Sequence, residues 1–182
     1  MGNIRKNPPM VHPFAALMFP NENLHKQAME LLTTKFGEPL GIGEKFLVTD
    51  FTNYYVKEFG WQLQKQFIVY KKPASLETLY KTKIWSNEVE LSIKEPENNK
   101  RFVNIDPGYL EASKFVLYSS KDFSHRLYQA EGVFAEVTML FMHGKFHKMD
   151  WTYEDYWNEK NRNFLIKMRS EIVRLAREKL QK

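Results

Sequence analysis

Hydrophobic and polar positions in the first half of the chain switch between strand-like and helix-like spacing. In chain order, these patterns predict a strand at 14–19, a helix over 21–37, strands at 45–51 and 64–70, a helix over 76–91 and a strand at 101–105. Asn21 can cap the first helix, and Gly37 can end it. This order of elements is that of a ferredoxin-like βαββαβ unit.

The second half of the chain begins with β-type alternation. Strands are predicted at residues 115–119, 124–130, 133–142 and 145–149. Glu131-Gly132 and His143-Gly144 have the composition of two-residue hairpin turns. We therefore expect these strands to form an antiparallel meander.

Helical spacing returns at residues 161–182, where Leu165, Met168, Ile172 and Leu175 form one apolar stripe. The same segment contains seven basic and two acidic residues, so it accounts for the whole net charge of +5. One interpretation is a docked helix whose charged face is solvated. The alternative is a basic patch that binds nucleic acid or a partner protein.

Together these patterns predict an α+β fold: a ferredoxin-like βαββαβ unit extended by an antiparallel β-meander and a C-terminal amphipathic helix. Residues 1–13 contain Pro8, Pro9 and Pro13, and we predict that they form an extended arm. Residues 14–182 are predicted to form a single domain.

Composition excludes several classes of site. The chain of 182 residues has no cysteine, so it has no disulfide, no thiolate nucleophile and no cysteine-ligated metal centre. No apolar run approaches the ~18 residues of a membrane span, and no signal-like core follows the N-terminus, so we expect a cytoplasmic protein. His143 and His147 flank a glycine turn instead of sharing a helix face, and no metal site or cofactor is assigned.

Strand alternation brings four polar side chains together. If the hairpin turns at residues 131–132, then His125 and Glu136 share a face, and the preceding strand adds Lys114 and Tyr118 to it. His125 could act as a base that Glu136 orients, Lys114 could bind an anion, and Tyr118 could donate a proton or stack. The alternative is a solvated sheet face with ordinary cross-strand pairs.

Other candidate ligand-binding residues surround this face. Lys121 and Asp122 lie in a loop at its rim, and Arg126 lies near the end of the opposite, apolar face. Asp106 is a further candidate carboxylate. Asp106-Pro107-Gly108 has the composition of a type II turn, which is the simpler interpretation of that segment.

Several longer stretches resemble a known family. They are DFTNYY at 50–55, NIDPGYL at 104–110, KDFSHRLY at 121–128, GVFAEVT at 132–138 and WTY at 151–153. In order and spacing they resemble family 4416 of the domains of unknown function, a bacterial and archaeal family whose members often carry the label GTP-binding protein. The resemblance covers most of the chain from Pro13 onward, adds Asp50 to the candidate ligand-binding residues and implies GTP as a ligand.

The chain has no Gly-x-x-x-x-Gly-Lys-Ser/Thr loop, which is the usual phosphate cradle of GTPases. The nearest glycine pair, Gly41 and Gly43, leads into a strand, whereas anion binding favours a loop that leads into a helix. Any GTP binding would therefore need another architecture.

Three functions follow from these observations. The first is binding of a small anionic ligand, such as a nucleotide, on the polar face that contains His125 and Glu136. The second is a hydrolase or phosphoryl-transfer enzyme that uses the same His–Glu pair. The third is a nucleic-acid or protein adaptor that uses the basic C-terminal helix.

Overall fold

An antiparallel sheet lies between two layers of helices in the computed structural model, which describes residues 7–93 and 101–180. The strands are β1 Met10–Phe19, β2 Pro39–Ile42, β3 Phe46–Leu47, β4 Gln64–Tyr70, β5 Ala74–Ser75, β6 Asn104–Leu110, β7 Lys114–Ser119, β8 Leu127–Ala130, β9 Val133–Met142 and β10 Lys145–Lys148. The helices are α1 Glu22–Phe36, α2 Val56–Phe59, α3 Leu76–Leu79, α4 Lys81–Ser92, α5 Glu154–Trp157 and α6 Glu159–Leu180. The main row of strands is β10-β9-β7-β6-β1-β4-β2, and β3, β5 and β8 pair beside it with β4, β1 and β9.

β1 is the centre of the sheet. It pairs with β4 on one side and with β6 on the other, and every residue from Val11 to Phe19 is buried. A strand that is covered on both faces has no solvent-facing positions, which explains why residues 14–19 are continuously apolar in the sequence.

The helices cover the two faces of the sheet. α1 and α4 pack on one face, where Ala28, Leu32 and Val89 are buried in one cluster with Leu17 and Ile68. α5 and α6 cover the other face, where their buried apolar side chains are Tyr156, Leu165, Met168 and Ile172. We call these the α1 face and the α6 face.

Several predicted elements are confirmed. The predicted strands 64–70 and 133–142 are β4 and β9. Asn21 caps α1 by accepting a hydrogen bond from the backbone N–H of Leu24 at 3.0 Å. Both hairpin turns have positive φ at both residues, 52° and 77° at 131–132 and 50° and 80° at 143–144, as type I′ turns require.

Other boundaries differ from the prediction. β1 begins at Met10, before the predicted limit of the N-terminal arm, and residues 1–6 of that arm lie outside the described residues. The strand predicted at 45–51 is only the two-residue β3, after which Val48–Asp50 form a 3-10 turn. The helix predicted over 76–91 is divided at Tyr80 into α3 and α4.

The turn predicted at Asp106-Pro107-Gly108 is wrong, because the segment lies inside β6. Gly108 explains the difference: a Cβ atom there would collide with the carbonyl oxygen of Val116 on β7. The glycine therefore permits two strands to approach closely instead of permitting a bend. Pro107 has no N–H to donate, and the pairing of β6 with β7 begins only at Gly108.

The predicted meander is also wrong in its strand order. β7 pairs with β9, and the short strand β8 lies on the other side of β9. β9 has ten residues and β8 only four, so β9 offers β7 a partner along its whole length. Residues 120–126 carry the chain across to the far side of β9.

No helix among the described residues has the length and apolar character needed to cross a membrane. The cytoplasmic location expected from the sequence stays a prediction.

Shortening one fully buried side chain on α6 should destabilise the protein far more than removing a charge from its outer face. Leu165 is fully buried, so we expect Leu165→Ala to lower the free energy of unfolding by about 2–5 kcal/mol. Arg174 is exposed, and its ion pairs with Glu171 and Glu178 lie on the same helix, so we expect Arg174→Ala to leave the free energy of unfolding close to that of the wild type. Urea denaturation of both variants measures the difference, and equal losses would contradict the docked-helix interpretation.

Candidate functional site

A buried carboxylate on β9 organises the polar cluster. Glu136 is only 3% exposed, and its Oε2 lies 2.7 Å from Nε of Arg126 and 3.1 Å from Nε2 of His125. Glu136 pairs across the sheet with Leu117, which belongs to the α6-face cluster, so the carboxylate lies on the α6 face. We call His125, Arg126, Glu136 and Ser119 the Glu136 centre.

Arg126 fixes the loop between β7 and β8. Its Nη1 donates to Oγ of Ser119 at 2.7 Å and to the carbonyl of Lys121 at 3.1 Å, while Nε binds Glu136. Its guanidinium also lies 4.6 Å from the centre of the Phe123 ring. With donors used in several directions, the guanidinium is held in one orientation.

His125 is held between aromatic rings. It stacks on Trp151, with ring centres 4.8 Å apart and an interplanar angle of 11°, and Phe123 lies 5.9 Å away. Trp151 is itself fixed, because its Nε1 donates to the carbonyl of Val137 on β9. For the contact with Glu136 to be a hydrogen bond, Nε2 of His125 must carry the hydrogen, and Nδ1 makes no hydrogen bond within the described residues.

The four-residue cluster expected from the sequence does not form as a unit. The contact between His125 and Glu136 is present, but Lys114 instead pairs with Glu111 at 2.8 Å. Tyr118 lies on the opposite face of the sheet, where it packs with Tyr109 and burial raises the pKa of its hydroxyl. Both differences follow from the pairing of β7 with β9 instead of β8.

Arg126 also differs from expectation, because it binds Glu136 instead of lying on the opposite face. A bulge between Tyr128 and Ala130 shifts the pairing of β8 with β9, so the predicted alternation does not extend back to residue 126. Leu127 consequently pairs with Ala135 and not with Glu136.

The remaining candidates are placed at different distances from the Glu136 centre. Lys121 contributes its carbonyl to Arg126, and its side chain and that of Asp122 are exposed in the same loop. Asp106 alternates with Ile105 of the α1-face cluster, so it lies on the α6 face like Glu136. Asp50 is exposed in the 3-10 turn beside β3, on the far side of β1 from β9.

A second polar centre on the α6 face was missed in the sequence analysis. Lys65 of β4 and Asp155 of α5 form an ion pair of 2.7 Å, with side-chain exposures of 4% and 10%. Nζ of Lys65 also lies 4.1 Å from the centre of the Tyr156 ring. One signal in the sequence could have indicated this centre: a lysine within a predicted strand. Residues 65–70 of that strand are all buried, and a buried lysine needs a partner.

Tyr156 contacts Lys65 and is also affected by the charge of Glu136. Its ring stacks on Phe67, and its hydroxyl is buried without a hydrogen-bond partner among the described residues. Burial raises the pKa of Tyr156 well above its usual range, and the nearby charges of Asp106, Asp155 and Glu136 raise it further. The phenol therefore stays protonated, and several carboxylates act on one region of the α6 face.

The basic residues of α6 that were candidates for nucleic-acid binding make local contacts. Arg174 pairs with Glu171 and Glu178, and Arg169 lies 3.5 Å from the centre of the Phe141 ring while Nε donates to the carbonyl of Ala112. These contacts favour the docked helix with a solvated face. The final two residues of the basic segment lie outside the described residues.

Within residues 7–93 and 101–180, no three histidine or carboxylate side chains are arranged to hold a metal ion.

Two neighbouring ion pairs of α5 differ in burial, so we expect them to contribute differently to the free energy of unfolding. Asp155→Ala leaves the buried ammonium of Lys65 without its partner, so we expect the free energy of unfolding to fall by about 3–5 kcal/mol. Glu154→Ala removes the exposed pair with Lys148, which has almost the same length, 2.8 Å, and should cost less than about 1 kcal/mol. Chemical denaturation of both variants checks this, and a small loss for Asp155→Ala would show that Lys65 is hydrated without it.

The chain matches the family model described as Domain of unknown function (DUF4416) over residues 9–171, a range that contains Asp106, the whole Glu136 centre and the Lys65–Asp155 pair. No curated protein and no solved structure matches it. The chain therefore belongs to the family of domains of unknown function DUF4416.

Proposed function

We propose that the protein binds a small anionic ligand at the Glu136 centre, and that nucleotides are the ligand class to test first. The observation that carries this proposal is that two cationic or protonatable side chains, His125 and Arg126, share one carboxylate oxygen. Glu136 compensates one positive charge, so the centre becomes net positive whenever His125 is protonated. A phosphate group would supply the missing negative charge.

The surroundings of the centre suit an organic anion. Lys121 is an exposed cation in the loop that Arg126 fixes, and Phe123 in the same loop is 47% exposed. An exposed aromatic ring beside fixed cations can contact a base while the cations contact a phosphate. Asp122 is also exposed in this loop, and its negative charge would weaken the attraction of an anionic ligand. The positive charge of Lys121 offsets that of Asp122.

The glycine pair at residues 41–43 does not provide an alternative phosphate loop. A Cβ at Gly41 would collide with the side chain of Met168, and Gly43 packs against Phe164. The absence of a side chain at both positions therefore lets β2 and the residue that follows it pack against α6. Nucleotide binding, including binding of GTP, is accordingly proposed at the Glu136 centre.

Isothermal titration calorimetry with GTP, ATP and inorganic phosphate tests the proposal. We expect His125→Asn and Lys121→Ala each to weaken binding on the order of tenfold, because each removes a charge-assisted contact. Both variants should remain folded, because the Lys121 side chain is exposed and Arg126 still compensates Glu136 when His125 is replaced.

Lys114→Ala is the matched control, because it also removes one lysine but one that pairs with Glu111. Its affinity for the ligand should equal that of the wild type. The proposal fails if none of these ligands binds, or if Lys114→Ala weakens binding as much as Lys121→Ala does.

A hydrolase or phosphoryl-transfer enzyme is the second candidate, and the orientation of His125 favours it. Glu136 holds Nε2, while Nδ1 has no hydrogen-bond partner within the described residues and can accept a proton from a nucleophile. Turnover of p-nitrophenyl phosphate or of GTP that His125→Gln abolishes, with the melting temperature unchanged, would support it. Turnover that survives this substitution would exclude His125 as the base.

We also propose that β1 to β6 form a ferredoxin-like unit. The spatial order β6-β1-β4-β2 with antiparallel pairing, and the packing of α1 and α4 on the same face, support this assignment.

A further inference from the structure

We propose a second ligand site, for a small organic phosphate, in the groove between β10 and the first turns of α6. The groove has a volume of about 450 Å³, within the range of about 300–1,000 Å³ that is typical of small-molecule sites. It lies at the edge of the sheet. Its lining shares no residue with the Glu136 centre.

The groove combines an apolar floor with cationic walls. Phe146, Trp157 and Ile166 pack against the α6-face cluster and form the apolar part. Lys145, Lys148 and Arg162 supply the positive charge. An organic anion is the ligand class that matches both features.

The positive charge is only partly compensated by the protein. Lys148 pairs with Glu154 at 2.8 Å, and both side chains are about half exposed. Neither Lys145 nor Arg162 has a carboxylate partner among the described residues. Two cations therefore remain without a counter-charge at one groove.

Arg162 is positioned before any ligand binds. Its guanidinium lies 4.4 Å from the centre of the Trp157 ring, and this cation–π contact restricts the long side chain to one region. Less conformational entropy is then lost when the guanidinium binds an anion.

A phosphate monoester fits this pair of cations better than a carboxylate does. It carries about −1.5 to −2 charges near neutral pH, which matches the uncompensated charges of Lys145 and Arg162. The planar guanidinium can bind two phosphate oxygens at once, and the lysine adds a point charge. The organic part of the ligand would lie on Trp157 and Ile166.

The indole N–H signals of the four tryptophans allow a direct test by ¹H–¹⁵N NMR. Trp157 lines the groove, whereas Trp151 stacks on His125, so two signals report on two different sites. The substitutions Trp157→Phe and Trp151→Phe assign them. As phenyl phosphate is added, the Trp157 signal should shift and then reach a plateau when the site is saturated.

The double variant Lys145→Ala/Arg162→Gln should weaken this binding on the order of tenfold or more, because both uncompensated cations are removed. Lys167→Ala, which removes an exposed lysine of α6 outside the groove, is the control and should bind like the wild type. A shift of the Trp151 signal alone would support the Glu136 centre and overturn the groove site.

The groove site is also overturned if the Trp157 signal does not move, or if it moves equally in the double variant. A single-stranded oligonucleotide that shifts the Trp157 signal with strong salt dependence, while phenyl phosphate does not, would assign the groove to nucleic acid instead. None of these results would bear on the proposed site at the Glu136 centre, which the calorimetric titrations test separately.

Discussion

A carboxylate buried in a sheet must be compensated by cations, and this requirement at Glu136 determines how the surrounding chain is arranged. The loop of residues 120–126 leaves β7, crosses to the far side of β9 and brings Arg126 and His125 to one oxygen. Trp151 then covers His125 from the connection between β10 and α5. One charged group thus ties to β9 the loop of residues 120–126 and Trp151, which belong to none of the apolar clusters of the described residues.

The α6 face is divided into an apolar part and a polar part. Phe14, Phe115 and Leu165 belong to the apolar part, and their burial stabilises the fold. The Glu136 centre and the Lys65–Asp155 pair occupy the polar part, and the charges of Glu136 and Asp155 both act on Tyr156. Charged groups can be retained there because the helices α5 and α6 are already anchored by the apolar part.

Local signals in the sequence were sufficient for much of the fold. The strand pattern of β4, the hairpin turns and the cap at Asn21 depend on residues close together in the sequence, and all were predicted. The segment around Asp106 was misassigned because the need for Gly108 arises from β7.

The difference between local and long-range contacts also explains which parts of the site could be predicted. The contact of His125 with Glu136 was predicted from their shared hairpin, although the bulge in β8 makes the assumed register incorrect. Lys65 and Asp155 are ninety positions apart, so no pattern along the chain links them.

The central position of β1 has a consequence for the order in which the chain can fold. Its partners are β4 and β6, and the helix that covers its α6 face begins only at Glu159. During synthesis from the N-terminus, both faces of this apolar strand can therefore be covered only after most of the chain has been made. Such long-range pairing slows folding and prolongs the exposure of aggregation-prone surface, so we expect the nascent chain to be a substrate for chaperones.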